Sequence, residues 1–169
     1  RLFMAFNRNY NLECRIARYH NIFGPKGTWN GGKEKSPAAM CRKAYDGKDY
    51  VEVWGDGLQT RSFLFIDECI EATLKFMRQD NFKGPVNIGS EEMVTINQLA
   101  QYAINASKKD LTIKNIEGKE FESKYGFKCP LGVKGRNSNN DLYKKHMKWE
   151  PSLRLESGIL KTYEWIKSQ

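Results

Sequence analysis

The sequence predicts an α/β fold, because strand-like runs alternate with helical patterns along the whole chain. The clearest helical pattern spans residues 67–79, where side chains at i, i+3, i+4 and i+7 define one face that we expect to be buried. The members of this face are Ile70, Thr73, Leu74 and Met77. A second pattern begins at Thr95, which is followed three residues later by Gln98 as in a capping box, and it predicts a helix that reaches Ser107.

The first third of the chain is predicted to contain a helix, a strand and a second helix. Residues 1–11 have helical composition, and residues 15–22 form a β-like run that breaks at a Gly-Pro pair. The second helix is expected at residues 36–45, because Pro37 suits its first turn and Gly47 would end it. The first strand therefore lies between two helices in the sequence.

A hairpin is predicted next. Residues 50–54 and 61–65 are both strand-like, and Asp56-Gly57 between them is typical of a tight turn. This turn is also the nearest match to the glycine motif of dinucleotide-binding proteins, but it precedes a strand instead of opening a helix. We therefore expect no dinucleotide pyrophosphate site there. Asp67 is expected to cap the helix that follows.

The second half of the chain is predicted to add two strands, a long loop and a final helix. The strands are expected at residues 85–89 and 111–116, and a surface loop rich in Gly, Lys and Glu at residues 117–135. The final helix is expected at residues 153–167, with one stripe of its side chains buried. The members of that stripe are Leu155, Ile159, Tyr163 and Ile166.

The composition argues against several classes of protein. The 169 residues suffice for one domain with a sizeable core, and 40% apolar with 28% charged residues is ordinary for a soluble globular chain. No run approaches the roughly 18 apolar residues that span a bilayer, so we expect no membrane partner and a cytoplasmic protein. The four cysteines lack the paired spacing of a zinc or redox site, so we predict no metal site.

The net charge of +8 makes a nucleic-acid partner worth considering. However, the lysines and arginines are spread along the chain without a run of five or more, and none of the recognised nucleic-acid-binding motifs is present. We therefore expect no nucleic-acid partner. The charge is interpreted as a solvated basic surface together with a site for a diphosphate.

The stretch from residue 24 to residue 35 is the segment most typical of a functional loop. Its glycines provide backbone freedom, its tryptophan a flat apolar surface and its lysines positive charge. These residues are Gly27, Gly31, Gly32, Trp29, Lys26, Lys33 and Lys35. The combination suits a sugar that lies next to a phosphate.

Four segments together resemble a known family. They are RYHNIFGPKGTWNGGKEKSPAAMCRKA at 18–44, WGDGLQTRSFLFIDE at 54–68, VNIGSEEMV at 86–94 and GRNSNN at 135–140. These motifs resemble those of the extended short-chain dehydrogenase/reductase family, which contains nucleotide-sugar epimerases and dehydratases. The Gly-Thr-Trp-x-Gly-Gly-x-Glu-Lys loop is narrower in distribution, and it is similar to that of the GDP-mannose 3,5-epimerases within this family.

The resemblance implies an architecture and a cofactor. Residues 1–169 would be the carboxyl-terminal portion of such an enzyme, comprising the last part of a Rossmann-like NAD-binding fold and the smaller substrate-binding domain. In the family, the Tyr-x-x-x-Lys motif directly precedes the helix that corresponds to residues 1–11, and the Gly-x-x-Gly-x-x-Gly turn lies much earlier, so the resemblance leads us to expect the cofactor half to be absent and this piece alone to be inactive. The implied cofactor is NAD, the implied partner is a GDP-sugar substrate, and the complete enzyme is expected to be a homodimer.

The resemblance also implies a reaction. Epimerising a sugar carbon requires its proton to be removed from one face and returned to the other, after a neighbouring carbon has been oxidised to a ketone with NAD. In the family a cysteine outside this segment and a lysine exchange the proton, and the lysine corresponds to Lys35. A lysine suits this role if burial and nearby cations such as Lys33 and Lys43 favour its neutral form. Without the resemblance, Lys35 would be interpreted as a surface lysine on a mobile loop.

The resemblance places substrate contacts at Asn21, Glu34, Lys35, Ser36, Lys43, Gln59, Arg61 and Arg136. The chemistry of these types is consistent with it, since arginine grips phosphate with a planar fork and an asparagine amide both donates and accepts. Asn21 could instead bond to its own backbone in a turn. Neither His20 nor His146 is expected to be a ligand or a base, and no cofactor-binding residue is identified.

Two alternatives stay open. One is another enzyme of the extended family, a nucleotide-sugar 4-epimerase or a dehydratase, although a simple 4-epimerase has no use for a lysine that exchanges a carbon-bound proton. The other is a protein without activity of its own, either a remnant that binds a nucleotide sugar or a basic nucleic-acid binder.

Overall fold

The computed structural model describes residues 1–130 and 132–169, and the α/β class is confirmed. The helices within these residues are α1 (Leu2–Tyr10), α2 (Ser36–Asp46), α3 (Ile66–Arg78), α4 (Ile96–Ser107), α5 (Gly118–Tyr125), α6 (Asp141–Met147) and α7 (Leu155–Lys167). The strands are β1 (Ala17–Tyr19), β2 (Ile22–Phe23), β3 (Tyr50–Trp54), β4 (Thr60–Ser62), β5 (Leu64–Phe65), β6 (Val86–Ile88), β7 (Met93–Thr95), β8 (Thr112–Ile116) and β9 (Gly135–Arg136).

The strands pair mostly in parallel. β1 pairs with β6, β2 with β5 and β3 with β8, each as a parallel two-stranded unit. β4 lies between β7, which is antiparallel to it, and β9, which is parallel. Parallel pairing requires a crossover, and the intervening helices supply it. The carboxyl ends of β1 and β6 therefore lie side by side, as do those of β4 and β9.

The predicted hairpin between β3 and β4 is wrong, because β3 pairs with β8 instead. The turn after β3 docks on α4, where the Asn97 backbone N–H donates to the Gly57 carbonyl at 3.0 Å and the Asn97 side-chain amide donates to the Asp56 carbonyl at 3.0 Å. Gly57 has a φ of +69°, and a Cβ there would lie 1.9 Å from the Asn97 side-chain oxygen. This docking directs the chain away from β3 and into β4.

Two apolar clusters form the core. The larger cluster, here called the main core, joins α2, α4 and α7 to β3 and includes the predicted α7 stripe, whose burial is confirmed. The smaller cluster, here called the second core, lies around β6 and the inner face of α3. Its members are Leu64, Cys69, Ala72, Phe76, Val86, Ile88 and Tyr143. Ala38, in the first turn of α2, belongs to the main core, so the loop before α2 is fixed at that end.

The predicted buried face of α3 is wrong. Ile70, Leu74 and Met77 are 51%, 41% and 57% exposed, whereas Cys69 and Phe76 lie in the second core. The helix carries apolar side chains on two adjacent stripes, and packing in the second core buries the stripe formed by Cys69, Ala72 and Phe76. Periodicity alone cannot make that choice.

The two predicted helix caps differ in outcome. The capping box at Thr95 is confirmed, since the Thr95 hydroxyl accepts from the Gln98 backbone N–H at 3.0 Å and the Gln98 side chain accepts from the Thr95 N–H at 2.8 Å. The cap at Asp67 is wrong, because α3 begins one residue earlier and Phe65 occupies the cap position. Asp67 lies instead in the first turn, where its charge favours the helix dipole.

The loop predicted at residues 117–135 contains α5 and the first residue of the short strand β9, so the prediction of a loop is wrong for these elements. Leu131, which belongs to the same predicted loop, lies outside the described residues. α5 is held by one fully buried side chain, Phe121, whose ring lies 5.1 Å from the Trp54 ring. The helix thus depends on a contact with β3, which is distant in sequence. A polar segment with a single apolar anchor has no helical period to detect.

In residues 1–130 and 132–169 no helix combines the length and the hydropathy needed to cross a bilayer. All four cysteines are free thiols. Cys41 and Cys69 are buried and Cys14 and Cys129 are half-buried, and burial raises the pKa of Cys41 to about 12.

Candidate functional site

The loop from Gly24 to Lys35, here called the lysine loop, leaves β2 and enters α2. At its start Gly24 has a φ of +149°, and a Cβ there would lie 2.5 Å from the Ile66 side chain, so glycine is required. Near its end Gly31 and Gly32 both have a φ of +82° with no atom within 4 Å of a Cβ position. Between them Trp29 packs against the main core. The loop is therefore anchored at Trp29 and open to solvent at its glycines.

Glu34 anchors the other end of the loop. Its side chain is only 8% exposed, and its Oε1 atom accepts from Arg42 Nη2 at 2.8 Å. Burial by itself would raise the pKa of Glu34, but the backbone N–H groups of Glu34 and Gly32 and the Arg42 guanidinium together lower it. The carboxylate thus lies between the loop backbone and α2. Arg42 was not among the predicted site residues.

Lys35 and Ser36 are both exposed, so the burial named above as a condition for proton exchange by Lys35 is not found. Lys35 is the residue that caps α2, and its carbonyl accepts from the Ala39 N–H at 2.9 Å. The next residues, Pro37 and Ala38, turn into the core. The start of the helix therefore leaves the Lys35 side chain at the surface, where it is accessible to a ligand.

Lys43 lies on α2 and is engaged with β3. Its Nζ atom donates to the Glu52 carbonyl at 2.8 Å and lies 5.3 Å from the centre of the Trp54 ring. Burial lowers the pKa of Lys43, and the Glu52 carboxylate opposes that effect. This lysine is thus a half-buried cation beside an aromatic ring.

Glu52 joins three side chains and was missed in the sequence. Its carboxylate accepts from Trp54 Nε1 at 3.0 Å and from the Tyr125 hydroxyl and Lys124 ammonium groups. Burial alone would raise the pKa of Glu52, but these hydrogen bonds outweigh it and lower the pKa. Its only sequence signal is its position in an apolar strand between Val51 and Val53, both fully buried.

Two arginines face one another across β4 and β9. Arg61 is the register partner of Arg136 in this parallel pair, so their side chains leave the same face of strands about 5 Å apart. Arg61 Nη1 donates to the Thr60 carbonyl at 2.7 Å, and Arg136 is exposed. Side chains of like charge on one face of adjacent strands destabilise the pair, and an anion bound there would offset this. Gln59 lies just before β4 and is half-buried. Its backbone carbonyl accepts a hydrogen bond from the Ile96 N–H at 3.1 Å.

Asn21 connects β2 to the strands that carry Arg61. Its φ is +49°, its side-chain amide donates to the Ser62 carbonyl at 3.0 Å, and its own carbonyl accepts from the Leu64 N–H at 3.0 Å. The Asn21 side chain thus bonds to a distant strand and not to its own backbone, which was the alternative weighed in the sequence, and its contact with a substrate stays a prediction. Ser62 is fully buried, and its hydroxyl meets no hydrogen-bond partner among residues 1–130 and 132–169.

The loop after Arg136 docks on the carboxyl ends of β1 and β6. A Cβ on Gly89 would lie 2.6 Å from Ser138 and 2.9 Å from the His20 Cβ. The Ser138 hydroxyl donates to the Asn140 Oδ1 atom at 2.6 Å, and the Asn140 amide donates to the Gly89 carbonyl at 2.8 Å. Burial lowers the pKa of His20, and the Arg136 charge adds to this effect.

The predicted residues thus form two groups. One group lies on the lysine loop and α2 and comprises Glu34, Lys35, Ser36 and Lys43; the other lies around β4 and β9 and comprises Asn21, Gln59, Arg61 and Arg136. The second group suits a diphosphate, because guanidinium forks match phosphate oxygens. Within the part of the chain that the structure describes, no cluster of His, Cys, Asp or Glu is placed to hold a metal ion.

Comparison with known proteins supports a family assignment. Residues 1–89 match the model of the NAD dependent epimerase/dehydratase family. The chain is 51% identical over 164 residues to GDP-mannose 3,5-epimerase of Arabidopsis thaliana, covering 97% of this chain and 40% of that protein. It is 48% identical, with the same coverage, to GDP-mannose 3,5-epimerase 1 of Oryza sativa subsp. indica. The chain therefore spans about two fifths of the length of these relatives.

A solved structure shares the fold. UDP-glucuronic acid 4-epimerase from Bacillus cereus, solved in complex with UDP-glucuronic acid and NAD, superposes with a TM-score of 0.79 at 21% identity, over 99% of this chain and 49% of that one. At this identity the likeness concerns the fold alone, and it agrees with the parallel strand pairs and crossover helices described above. With more than half of its residues matched by the family model, the chain belongs to the NAD dependent epimerase/dehydratase family.

Proposed function

We propose that this chain is the substrate-binding, carboxyl-terminal portion of an NAD-dependent epimerase that converts GDP-mannose to GDP-L-galactose. The observation that carries the proposal is the 51% identity to GDP-mannose 3,5-epimerase along 97% of the chain, which includes the lysine loop. The geometry supports it in two ways. Lys35 is accessible at the end of a glycine-rich loop, and Arg61 and Arg136 lie in register on adjacent strands.

The proposed reaction needs a hydride acceptor, an acid/base pair and a grip on the diphosphate. NAD, when bound, accepts a hydride from the sugar and later returns it, and the ketone present in between acidifies the neighbouring carbon–hydrogen bonds. The lysine loop leads from β2 into α2, but its glycines lack the Gly-x-x-Gly-x-x-Gly spacing, and the turn at Gly57 docks on α4 and leads into β4. We therefore assign the cofactor no contact in this chain.

The roles proposed for this chain are proton transfer and binding. Lys35 exchanges the carbon-bound proton as general acid or base, in partnership with a cysteine that other residues provide. Arg61 and Arg136 bind the diphosphate. Asn21, Glu34, Ser36, Lys43 and Gln59 complete the substrate contacts. For Glu34 the hydrogen bond to Arg42 occupies one carboxylate oxygen, so its substrate contact would use the other oxygen or the backbone.

Lys35→Ala in the protein expressed from its complete coding sequence tests the proposal. We expect the rate of GDP-mannose epimerisation to fall at least ~100-fold, which is the lower range for loss of an acid/base group. Lys33→Ala is the matched control, because it removes the same charge from the same loop, and its activity should stay within about fivefold. Unchanged epimerisation in the Lys35 variant would overturn the assignment.

Substrate choice separates the proposal from another enzyme of the family. Calorimetric titration with GDP-mannose and with UDP-glucose should show preference for GDP-mannose, and preference for UDP-glucose would favour a 4-epimerase or dehydratase. The surface position of Lys35 also leaves room for a second candidate, a protein that binds the nucleotide sugar without turnover. Tight GDP-mannose binding with no product from the wild-type protein would favour it. A homodimer and a cytoplasmic location stay predictions.

A further inference from the structure

Among the described residues, Arg42 is the one whose side chain is hydrogen-bonded to the Glu34 carboxylate. It lies on α2, is 29% exposed, and reaches back eight residues to Glu34 at 2.8 Å. Its other amino group lies 3.7 Å from Asp46, one turn further along the helix. The hydrogen-bonded contact of Arg42 is thus with Glu34, and Asp46 is a longer-range ionic partner.

The loop segment that Arg42 holds has little other support. Gly31 and Gly32 have open space around them, and Lys33 and Lys35 are exposed. Trp29 anchors the loop to the main core, but four residues with two glycines separate it from Glu34. The Glu34 carboxylate lies near the backbone N–H groups of Gly32 and of Glu34 itself. The Glu34–Arg42 ion pair is thus the side-chain contact that holds this stretch against α2, in addition to the cap at Lys35.

We propose that Arg42 is a positioning residue for Lys35, which acts through its ion pair with Glu34. This inference rests on the proposed function, because it assumes that Lys35 exchanges protons with the substrate. Glu34 directly precedes Lys35, so a shift of the Glu34 carboxylate changes the backbone from which the Lys35 side chain extends. A misplacement of about 1 Å can cost roughly 100-fold in rate, and removal of a group that orients a functional residue typically costs about 10- to 100-fold.

The test compares three variants of the protein expressed from its complete coding sequence. Arg42→Met removes the charge but keeps much of the apolar stem, and Arg42→Lys keeps the charge. Asp46→Asn is the matched control, because it removes the other ionic partner of Arg42 without touching Glu34. We expect kcat to fall about 10- to 100-fold in Arg42→Met, with KM changed less than about threefold. In Arg42→Lys we expect kcat to fall less than about fivefold. In Asp46→Asn we expect kcat and KM to stay unchanged.

A second readout separates positioning from loss of fold. Deuterium from D₂O enters the sugar only through proton exchange at carbon, so mass spectrometry of substrate and product reports the step assigned to Lys35. We expect Arg42→Met to slow this incorporation by the same factor as kcat, while its affinity for GDP-mannose and its circular dichroism match the wild type. Ile159→Val, which removes a buried methylene group from the main core, should leave the incorporation rate per folded molecule unchanged.

The outcomes distinguish the two proposals. If Lys35→Ala abolishes epimerisation and Arg42→Met retains the wild-type kcat and deuterium incorporation, the positioning role is refuted and the proposed function stands. If Lys35→Ala is fully active, the proposed function fails first. If Arg42→Met raises KM with kcat unchanged, Arg42 acts in binding and the positioning role is refuted as well.

Discussion

Replacement of Gly89 by alanine should disturb the docking of the loop that carries Arg136. The new Cβ would lie 2.6 Å from the Ser138 Cβ and Oγ atoms and 2.9 Å from the His20 Cβ. None of these is the end of a flexible side chain, since Ser138 is 3% exposed and bonded to Asn140 at 2.6 Å. The loop must move away from the carboxyl end of β6.

The expected cost has two parts. Overpacking of a close contact destabilises by about 1–3 kcal/mol, and weakening the buried Ser138–Asn140 hydrogen bond adds about 1 kcal/mol. We therefore expect Gly89→Ala to lower the free energy of unfolding by about 2–4 kcal/mol. Because Arg136 moves with the loop, GDP-mannose affinity should fall about tenfold, equivalent to about 1.4 kcal/mol.

Urea denaturation and calorimetric titration measure the two effects. Gly27→Ala is the control for stability, because its Cβ would meet only the Gly24 carbonyl at an ordinary 3.5 Å, and its free energy of unfolding should stay within about 1 kcal/mol of wild type. The double variant Gly89→Ala with Ser138→Gly should recover part of the lost stability, because it removes the closest contact. A Gly89 variant as stable as wild type would refute the reasoning.

Two further predictions concern the buried carboxylates. Folding lowers the pKa values of Glu34 and Glu52 from their usual 4.5, so their stabilising contribution is present above pH 4.5 and is lost as the pH falls through the folded-state values. Thermal unfolding measured between pH 7 and 3 should show this loss of stability. Stability that is flat or rises toward pH 3 would contradict the prediction. Glu52→Gln should lower the free energy of unfolding by about 1–3 kcal/mol, because a buried site with three donors loses its charge. It should also weaken the decrease of stability with falling pH. An unchanged decrease would show that Glu52 does not contribute to it.

Much of the secondary structure could be predicted because its causes are local. The capping box at Thr95 needs only residues three apart, and it forms as expected. α2 begins beside Pro37 and ends before Gly47, as their backbone preferences require. The stripe on α7 is the helix's main apolar surface, so its burial follows from its period.

The candidate site could be predicted only in part. The residue types and the family resemblance select Lys35, Arg61 and Arg136 as candidates. No local pattern indicates that Arg61 and Arg136, distant in sequence, become register partners. Nor does any pattern show that Glu34 turns to Arg42. These arrangements depend on which strands and helices meet, which is a property of the whole packed chain.

The sequence alone thus determines the α/β class, the positions of most helices and the chemical character of the lysine loop, because hydrophobic periods, caps and glycines act over a few residues. The tertiary structure decides the pairing of β3 with β8, the exposure of Ile70 and the formation of α5. Each of these depends on contacts between residues far apart in the chain, such as Phe121 with Trp54. Their free energy exists only when both partners are in place, so neither segment carries the information by itself.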